Sequence, residues 1–213
     1  METAKARFGL PPTAAALIEH MSYLSLPITR AAERRTSQRV EYLNFGSAGV
    51  KVSRIALGLG LRGQEDQDEA ERLIRHAIDQ GINLIDCANI YGTMDDRKNR
   101  GFSEQILGRV LKDRRQEVVI TSKFSGSMGP GPNDSGTSRL HLMQAVDESL
   151  KRLKTDHIDV YLVHGFDETT PIDETIRALD DLVHSGKVLY VGCCNFQAWQ
   201  VCHSLWVAAR LNA

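Results

Sequence analysis

Polar residues of several chemical types stand where successive apolar segments of this sequence end. Asp86 ends one segment, Lys123 the next, His164 a third, and Cys194 with Asn195 a fourth. One ionisable residue after a buried strand is often only part of a solvated edge. Several in succession, each of a different chemistry, favour a site built from the ends of neighbouring strands, as the active sites of (β/α)8 barrels are.

The segments that would position these residues repeat as a short apolar strand, a polar loop and an amphipathic helix. The five predicted strands are Arg54–Gly58, Ile82–Asp86, Val118–Lys123, Ile158–His164 and Val188–Cys194. Alternation with helices predicts parallel strands, and continuously apolar strands are typical of sheets buried on both faces. Two α/β architectures fit: an open doubly wound sheet, or an incomplete (β/α)8 TIM barrel with about five βα units. The residues at the strand ends favour the barrel.

Capping signals predict where the helices begin and which faces they bury. The predicted N-caps are Asp66, Ser103, Ser138 and Thr170, the last with Pro171 in the first helical position. Gly81 is predicted to follow the end of the first helix. The apolar stripe predicted for that helix consists of Leu73, Ile74, Ala77 and Ile78. A last helix is predicted to start near Ala198.

Composition and charge indicate which classes of protein this sequence can belong to. The chain has 42% hydrophobic and 25% charged residues and a formal net charge of -1, which is typical of a soluble globular protein and argues against a nucleic-acid partner. No apolar run approaches the roughly 20 residues that span a bilayer. The four cysteines lack C-x-x-C spacing, which favours free thiols in a reducing cytoplasm over disulfides or a metal site.

Residues 1–39 do not share the repeating pattern. Prolines at positions 11, 12 and 27 interrupt them and residues 30–39 are basic and polar, so we predict a poorly ordered N-terminal extension. An overcalled start of translation fits these residues equally well. Residues 40–213 are predicted to form a single domain, a partial barrel. Because a closed barrel needs eight strands and typically about 250 residues, we expect the first and fifth strands to be unpaired edges.

Longer motifs surround the candidate residues. Residues 86–92 read D-C-A-N-I-Y-G, residues 101–108 read G-F-S-E-Q-I-L-G, and residues 192–196 read G-C-C-N-F. They resemble the motifs D-T-A-x-x-Y-G, G-x-S-E-x-x-L-G and G-x-S-N-F of the aldo-keto reductases, with cysteines in place of a threonine and a serine. Residues 138–161 are similar to the family's long signature ahead of its catalytic histidine. The resemblance extends from about residue 41 to the end, with the motifs in the family's order.

The resemblance implies a catalytic tetrad of Asp86, Tyr91, Lys123 and His164 and the NADPH-dependent reduction of aldehydes or ketones. Taken singly, these residues could be a loop cap, a half-buried aromatic, a surface charge and a core histidine; together, within matching motifs, they favour catalysis. A tyrosine with its ordinary pKa of about 10 is a poor general acid at neutral pH. A neighbouring lysine cation would lower the pKa of Tyr91. Asp86 would hold that lysine, and His164 would orient the carbonyl oxygen.

For the cofactor, the resemblance implies contacts from Gly58, Leu59, Asp86, Cys194 and Asn195, with Asn195 binding the nicotinamide carboxamide. Leu59 stands where the family has threonine, and the thiol of Cys194 is a weaker hydrogen-bonding group than the usual serine. The family's contacts to the adenosine and the 2′-phosphate come after later strands, so we expect this chain to lack them. No metal is implied.

Three functions fit these observations. The first is the NADPH-dependent reductase, acting on a small carbonyl substrate. The second is a catalytically inactive barrel remnant that acts as an interaction or regulatory subunit, with self-association through the exposed barrel edges as one route. The third is a small doubly wound nucleotide-binding protein, which requires a glycine-rich phosphate loop after the first strand. Residues 58–63 match such a loop only in part.

Overall fold

The computed structural model describes residues 40–60, 66–92 and 99–213. Its strands are β1 Tyr42–Asn44, β2 Lys51–Ser53, β3 Ala56–Gly58, β4 Leu84–Asp86, β5 Val119–Phe124, β6 Ile158–Val163 and β7 Val188–Cys193. Its helices are α1 Gln67–Asp79, α2 Phe102–Arg114, α3 Arg139–Leu153, α4 Ile172–His184 and α5 Ala198–Leu211. The extension predicted for residues 1–39 lies outside the described residues. Among those described, no helix is both long and apolar enough to cross a membrane.

The parallel sheet has its strands in the order of the chain, β3-β4-β5-β6-β7. Asp86 of β4 lies between Gly58 of β3 and Thr121 of β5, and Lys123 of β5 lies opposite Leu162 of β6. In a doubly wound sheet the strand order reverses at a switch point, whereas in a barrel wall each strand is added on the same side as the one before it. The predicted incomplete (β/α)8 barrel is therefore confirmed, and the doubly wound alternative is wrong.

The two faces of the sheet belong to two different cores, because successive side chains of a strand point to opposite faces. On the outer face, Ile120 and Phe124 of β5 pack within the large cluster beneath the helices. On the inner face, Val119 and Val160 pack with Val52 of β2 in a smaller cluster. The outer cluster holds the helices on the sheet, and the inner one fills the space inside the curved wall.

A short antiparallel hairpin of β1 and β2 covers one end of this inner face, and the sequence analysis did not predict it. Tyr42 pairs with Ser53 across the hairpin. The Ser53 N–H donates to the side-chain oxygen of Asn83 at 2.6 Å, and the Tyr42 hydroxyl donates to the Gly81 carbonyl at 2.7 Å. Both contacts precede β4, so the hairpin lies at the end of the sheet where the parallel strands begin.

Helix caps agree with the sequence in two cases. The Asp66 carboxylate accepts hydrogen bonds from the N–H groups of Asp68 and Glu69, and the Ser138 hydroxyl accepts one from His141, as N-cap side chains do. Gly81 follows the end of α1 with a φ of 92°, the left-handed conformation expected there.

Two predicted caps are wrong. Gly101, with a φ of 82°, takes the N-cap position of α2, so Ser103 lies within the helix. At α4 the N-cap position belongs to Pro171 and no side chain caps it, since the Thr170 hydroxyl donates to Asp167 at 2.7 Å.

The buried stripe of α1 was also predicted incorrectly at one position. Leu73 is 47% exposed, whereas Ala70 is fully buried. The stripe therefore begins with a small residue one turn earlier, on the same face as the buried Ile74 and Ile78.

Candidate active site

Asp86 and Lys123 form a buried ion pair at the edge where the parallel strands end. The Lys123 ammonium lies 2.7 and 2.8 Å from the two carboxylate oxygens of Asp86. The two residues are 3% and 5% exposed, so both charges are removed from water. The Thr121 hydroxyl also donates to Asp86. A buried pair of this kind is stable only when further hydrogen bonds satisfy it, and these contacts do so.

The Lys123 ammonium also reaches the loop that follows β4. It donates to the Cys87 carbonyl at 2.9 Å and to the Tyr91 phenol oxygen at 3.2 Å. Burial alone would lower the pKa of Lys123, but the charge of Asp86 and then that of Tyr91 outweigh it and raise this pKa above its ordinary value. Lys123 is therefore a cation at neutral pH, and a cation at this distance favours the phenolate of Tyr91 over the phenol.

Ser103 fixes the loop that presents Tyr91. Its hydroxyl donates to the Ala88 carbonyl at 3.1 Å, and its N–H donates to the Tyr91 carbonyl at 3.2 Å. The Tyr91 N–H donates to the same Ala88 carbonyl at 3.2 Å. The first turn of α2 thus holds both ends of a tight turn, and this sets the position from which the Tyr91 ring reaches Lys123.

His164 follows β6 and stands beside the Tyr91 ring. The ring centroids are 5.6 Å apart with an edge-to-face angle of 75°. Burial, and then the charge of Lys123, lower the pKa of His164 to about 4. The imidazole is therefore neutral at neutral pH. Its Nδ1 is buried and makes no hydrogen bond among the described residues.

Cys194 and Asn195 directly follow β7 and lie next to His164. Asn195 has a φ of 57°, and its side-chain amide donates to the His164 carbonyl at 2.6 Å. The Cys194 thiol lies 3.6 Å from the carbonyls of both Val163 and His164. Burial raises the pKa of Cys194 to about 11, so it is a neutral thiol rather than a reactive thiolate.

The glycine turn after β3 lies on the opposite flank of Asp86. The Leu59 N–H donates to the Asp86 carbonyl at 2.7 Å, and the Leu59 side chain is fully buried in the outer core. Only the backbone of Leu59 is thus left to face a ligand. A Cβ built on Gly58 or Gly60 would meet no atom of the described residues within 4 Å, so these residues leave open space beside the strand ends. The rest of the partial phosphate-loop match lies outside the described residues.

The residues at this edge of the sheet fit the nicotinamide end of a nicotinamide cofactor. The carboxamide of a nicotinamide needs a donor and an acceptor, and Asn195 is an exposed amide at the same edge as Tyr91 and His164. Its amide nitrogen is held by the His164 carbonyl, which leaves the side-chain oxygen to accept. The open space at Gly58 lies beside Asp86 on β3, the side opposite to β5 and Lys123.

Sequence reasoning missed three residues that support this arrangement. Thr121 stands two positions before Lys123 and so on the same face of β5, a period-of-two signal that could have identified it. Ser103 was interpreted as a cap. Asn89 is fully buried and neither atom of its amide makes a hydrogen bond among the described residues, which no sequence pattern indicated.

Comparison with known proteins identifies the family to which this architecture belongs. The family model described as the Aldo/keto reductase family matches residues 54–209, which is more than half of the chain. The chain belongs to this family. The matched span contains every member of the predicted tetrad and both ends of the site, from Gly58 to Asn195.

Relatives with different names share this part of the aldo/keto reductase fold. An uncharacterized oxidoreductase of Bacillus subtilis, YrpG, is 39% identical over 76% of this chain and 51% of its own. The L-glyceraldehyde 3-phosphate reductase of Escherichia coli is 37% identical over 74% and 46%. A probable voltage-gated potassium channel subunit beta of Arabidopsis thaliana is 35% identical over 81% and 52%. The chain thus spans about half the length of the curated relatives it matches.

The predicted family is therefore confirmed, and with it the expectation of an enzyme by family. Aldo/keto reductases are oxidoreductases that generally use NAD(P)H. The particular activity, cofactor and substrate of this protein are matters for proposal, as are the roles of its site residues.

Proposed function

We propose that this aldo/keto reductase reduces small aldehydes or ketones to alcohols with NADPH, with Tyr91 as the general acid. The observation that supports it most is the position of the Lys123 ammonium. It contacts Asp86, the Cys87 carbonyl and the Tyr91 phenol oxygen, all within 3.2 Å. The buried ammonium of Lys123 thus contacts both the carboxylate of Asp86, which holds it in place, and the phenol of Tyr91, whose acidity it increases.

Each residue of the tetrad has one task in this proposal. Tyr91 donates its phenol proton to the carbonyl oxygen as that oxygen gains negative charge, and Lys123 stabilises the phenolate that remains. Asp86 balances the charge of Lys123 and keeps it in place. His164, neutral because of its low pKa, donates a hydrogen bond to the same carbonyl oxygen and so orients the substrate.

The cofactor's share of the chemistry is the hydride that reaches the carbonyl carbon. Asn195 would hold the nicotinamide carboxamide, and Cys194, a weaker hydrogen-bonding group than serine, would support it less strongly. The backbone of Gly58 and Leu59, next to Asp86, would border the same ligand.

Cofactor binding is tested first, by titrating the purified chain with NADPH and following the cofactor's fluorescence. We expect saturable binding that Asn195→Ala weakens at least about tenfold, since it removes the carboxamide contact. Asn212→Ala is a matched control, because Asn212 is also an exposed asparagine with a left-handed backbone, at the end of α5. No binding up to millimolar NADPH, in a sample shown to be folded by circular dichroism, would contradict the proposal for this chain.

Catalysis is tested by following NADPH absorbance with a panel of aldehydes. Tyr91→Phe removes the proton donor and keeps the ring, so we expect at least about a 100-fold loss of kcat with little change in the Kd for NADPH. Tyr190→Phe is the control, since Tyr190 lies on β7 and is 38% exposed. Equal activity of Tyr91→Phe and the unsubstituted chain would exclude Tyr91 as the acid.

A second candidate function is an inactive barrel that acts as an interaction or regulatory subunit. Two observations support it: several relatives are named potassium channel subunits beta, and within the described residues β3 and β7 each pair on one side only. Leu189 and Tyr190 of β7 are 45% and 38% exposed, which suits pairing with another chain, including a second copy. Dimers in sedimentation velocity that Leu189→Lys dissociates, without any NADPH binding, would favour this function over the reductase.

The cytoplasm stays the predicted location, supported by four cysteines that are all free thiols. The absence of a nucleic-acid partner also stays a prediction, supported by the near-neutral charge of the chain.

A further inference from the structure

One fully buried carboxylate is not used by the proposed reaction. Glu104 lies in the first turn of α2, and its side chain is removed from water. One carboxylate oxygen accepts a hydrogen bond from the Ser122 hydroxyl at 2.5 Å, and the other accepts one from the Arg152 Nε at 2.7 Å. Ser122 belongs to β5 and Arg152 to α3. These three residues, the Glu104 network, therefore join two helices and one strand.

The Glu104 network lies on the outer face of the sheet, behind the candidate active site. Ser122 points to the face opposite to that of Thr121 and Lys123, because successive side chains of a strand alternate. The Arg152 side chain crosses the start of α2, where a Cβ on Gly101 would lie 2.6 Å from the Arg152 Cδ. Only 15% of the Arg152 side chain is exposed, so both charges of the ion pair are largely buried.

Stability alone is a poor explanation for an ion pair at this position. Both charges lose water when they are buried, so apolar residues of similar volume would often stabilise the fold equally well or better. What the ion pair adds is a fixed geometry, because each of its hydrogen bonds requires a particular distance and direction. The Glu104 network therefore restricts how α2 lies on β5 and α3.

The sequence neighbours of the Glu104 network set the contact between Tyr91 and Lys123. Ser103, directly before Glu104, holds the Tyr91 loop through its hydroxyl and its N–H. Lys123 directly follows Ser122, and its ammonium lies 3.2 Å from the Tyr91 phenol oxygen. A shift of α2 relative to β5 would change that distance, and the hydrogen bond between Ser122 and Glu104 opposes such a shift.

We propose that Glu104 is a positioning residue that fixes the distance between Tyr91 and Lys123 from behind the sheet. It acts through Ser103 on the Tyr91 loop and through Ser122 on the strand that carries Lys123. The inference rests on the proposed function for its effect on turnover. Its effect on the titration of Tyr91 needs no turnover, because a cation at short distance favours the phenolate whether or not substrate is present.

The main test replaces the ion pair by apolar residues of similar size, in Glu104→Met combined with Arg152→Met. A merely structural pair would leave turnover unchanged in this double variant, since the replacement is often neutral for stability. If the pair positions Tyr91, kcat for the aldehyde-dependent oxidation of NADPH should fall at least about tenfold. The Kd for NADPH should stay within about twofold. Circular dichroism and urea denaturation show whether the double variant is folded, and an unchanged kcat in the folded protein would overturn the inference.

A conservative variant and a second ion pair serve as controls. Glu104→Gln can still accept from Arg152 and can donate to the Ser122 hydroxyl, so it should keep at least about a third of kcat. Arg115 and Asp159 form an ion pair of 2.9 Å whose side chains are 14% and 13% exposed, at the end of the sheet where β6 begins. Arg115→Met with Asp159→Asn should lower the urea midpoint and leave kcat within about twofold.

Two buried serines test the inference even if the double variant does not fold. Ser122 donates to Glu104, whereas the Ser149 hydroxyl oxygen accepts from Arg152 at 3.2 Å within α3. Both serines are fully buried, but only Ser122 connects the Glu104 network to β5. Ser122→Ala should therefore lower kcat about 3- to 10-fold, and Ser149→Ala should lower it less than about twofold. Equal kcat values for the two serine variants would overturn the inference.

The titration of Tyr91 separates this inference from the proposed function. Tyrosinate absorbance is followed against pH, and the curve of the same variant carrying Tyr91→Phe is subtracted. Weaker contact with Lys123 should raise the pKa of Tyr91 by about half a pH unit or more in Ser122→Ala, and not in Ser149→Ala. An unchanged pKa in Ser122→Ala would reject the positioning role even if the chain reduces aldehydes. A raised pKa in a chain that never oxidises NADPH would support the positioning of Tyr91 and reject the reductase activity.

Discussion

The two ends of the parallel sheet differ in what their side chains do. Where the strands begin, Val52 of the hairpin and Val119 of the inner face belong to one cluster, and the contacts are apolar. Where the strands end, the buried residues are the charged pair of Asp86 and Lys123. The same strands therefore contribute packing at one end and charge at the other.

This difference separates stability from chemistry within one sheet. Apolar contacts at the beginning of the strands lower the free energy of the fold without placing any group for reaction. At the opposite end a buried ion pair is weak evidence for stability, because its desolvation costs about as much as its attraction returns. Among the described residues, buried polar atoms without hydrogen bonds lie at that end at Asn89 and His164, and others lie elsewhere, as at Tyr161.

Breaking the charged pair should have the largest effect. Lys123→Met leaves the Asp86 carboxylate buried without its cation, and we expect this to lower the free energy of unfolding by about 3–5 kcal/mol. Removing both charges, with Asp86→Asn and Lys123→Met together, should restore at least half of that loss, because no uncompensated charge remains. Urea denaturation of the two variants and the unsubstituted chain measures both quantities. Equal stabilities of the single and double variants would show that the pair is not held as a buried unit.

A substitution at the opposite end should affect stability alone. Val119→Ala removes two methyl groups from a buried position at the start of β5, which should cost about 2 kcal/mol in the free energy of unfolding. The Kd for NADPH should stay within about twofold at temperatures where the protein is folded. Leu189→Ala, at a position 45% exposed on the edge strand, is the control and should change stability by about 0.5 kcal/mol or less. A large change in NADPH affinity for Val119→Ala would mean that the two ends are coupled.

The sequence was informative wherever a pattern repeats over many residues. The alternation of apolar strands and amphipathic helices predicted the parallel sheet, and the polar residues at the strand ends, Asp86, Lys123 and His164, predicted that these ends form one edge. The hairpin was missed because its strands have three residues each and β1 is exposed throughout, so no periodic signal exists.

Local capping signals failed where tertiary contacts decide the geometry. Ser103 has the residue type of an N-cap, but the left-handed backbone of Gly101 starts the helix earlier and turns the Ser103 hydroxyl toward Ala88. Thr170 is drawn to Asp167 in the same way. In both cases the side chain that would cap a helix instead holds a loop at the rim of the sheet. The partner of Ser103 lies 15 residues away in the sequence, which no local pattern reports, whereas the partner of Thr170 lies three residues before it and competes with the helix for its hydroxyl.

The smallest expected effect is the pH dependence that His164 adds to stability. Its pKa is about 4 in the folded chain and ordinarily about 6.5, so the unfolded chain binds the proton more readily between these values. Stability from His164 is therefore complete above about pH 6.5 and is lost as the pH falls toward 4. We expect this loss to be about 1 kcal/mol, since the partly exposed ring is screened by solvent. His164→Gln should lack it when urea denaturation is compared at pH 7 and pH 4.5.

His184 offers a control of the opposite sign. It is exposed, and the Asp180 carbonyl, followed by the charge of Asp180, raises its pKa. Its contribution is therefore present at low pH and lost as the pH rises, so His184→Gln should make the fall in stability toward pH 4.5 steeper, whereas His164→Gln makes it shallower. If both substitutions shifted the pH dependence in the same direction, His164 would not be held neutral by its surroundings. The orienting role proposed for a neutral imidazole beside Tyr91 would then lose its basis.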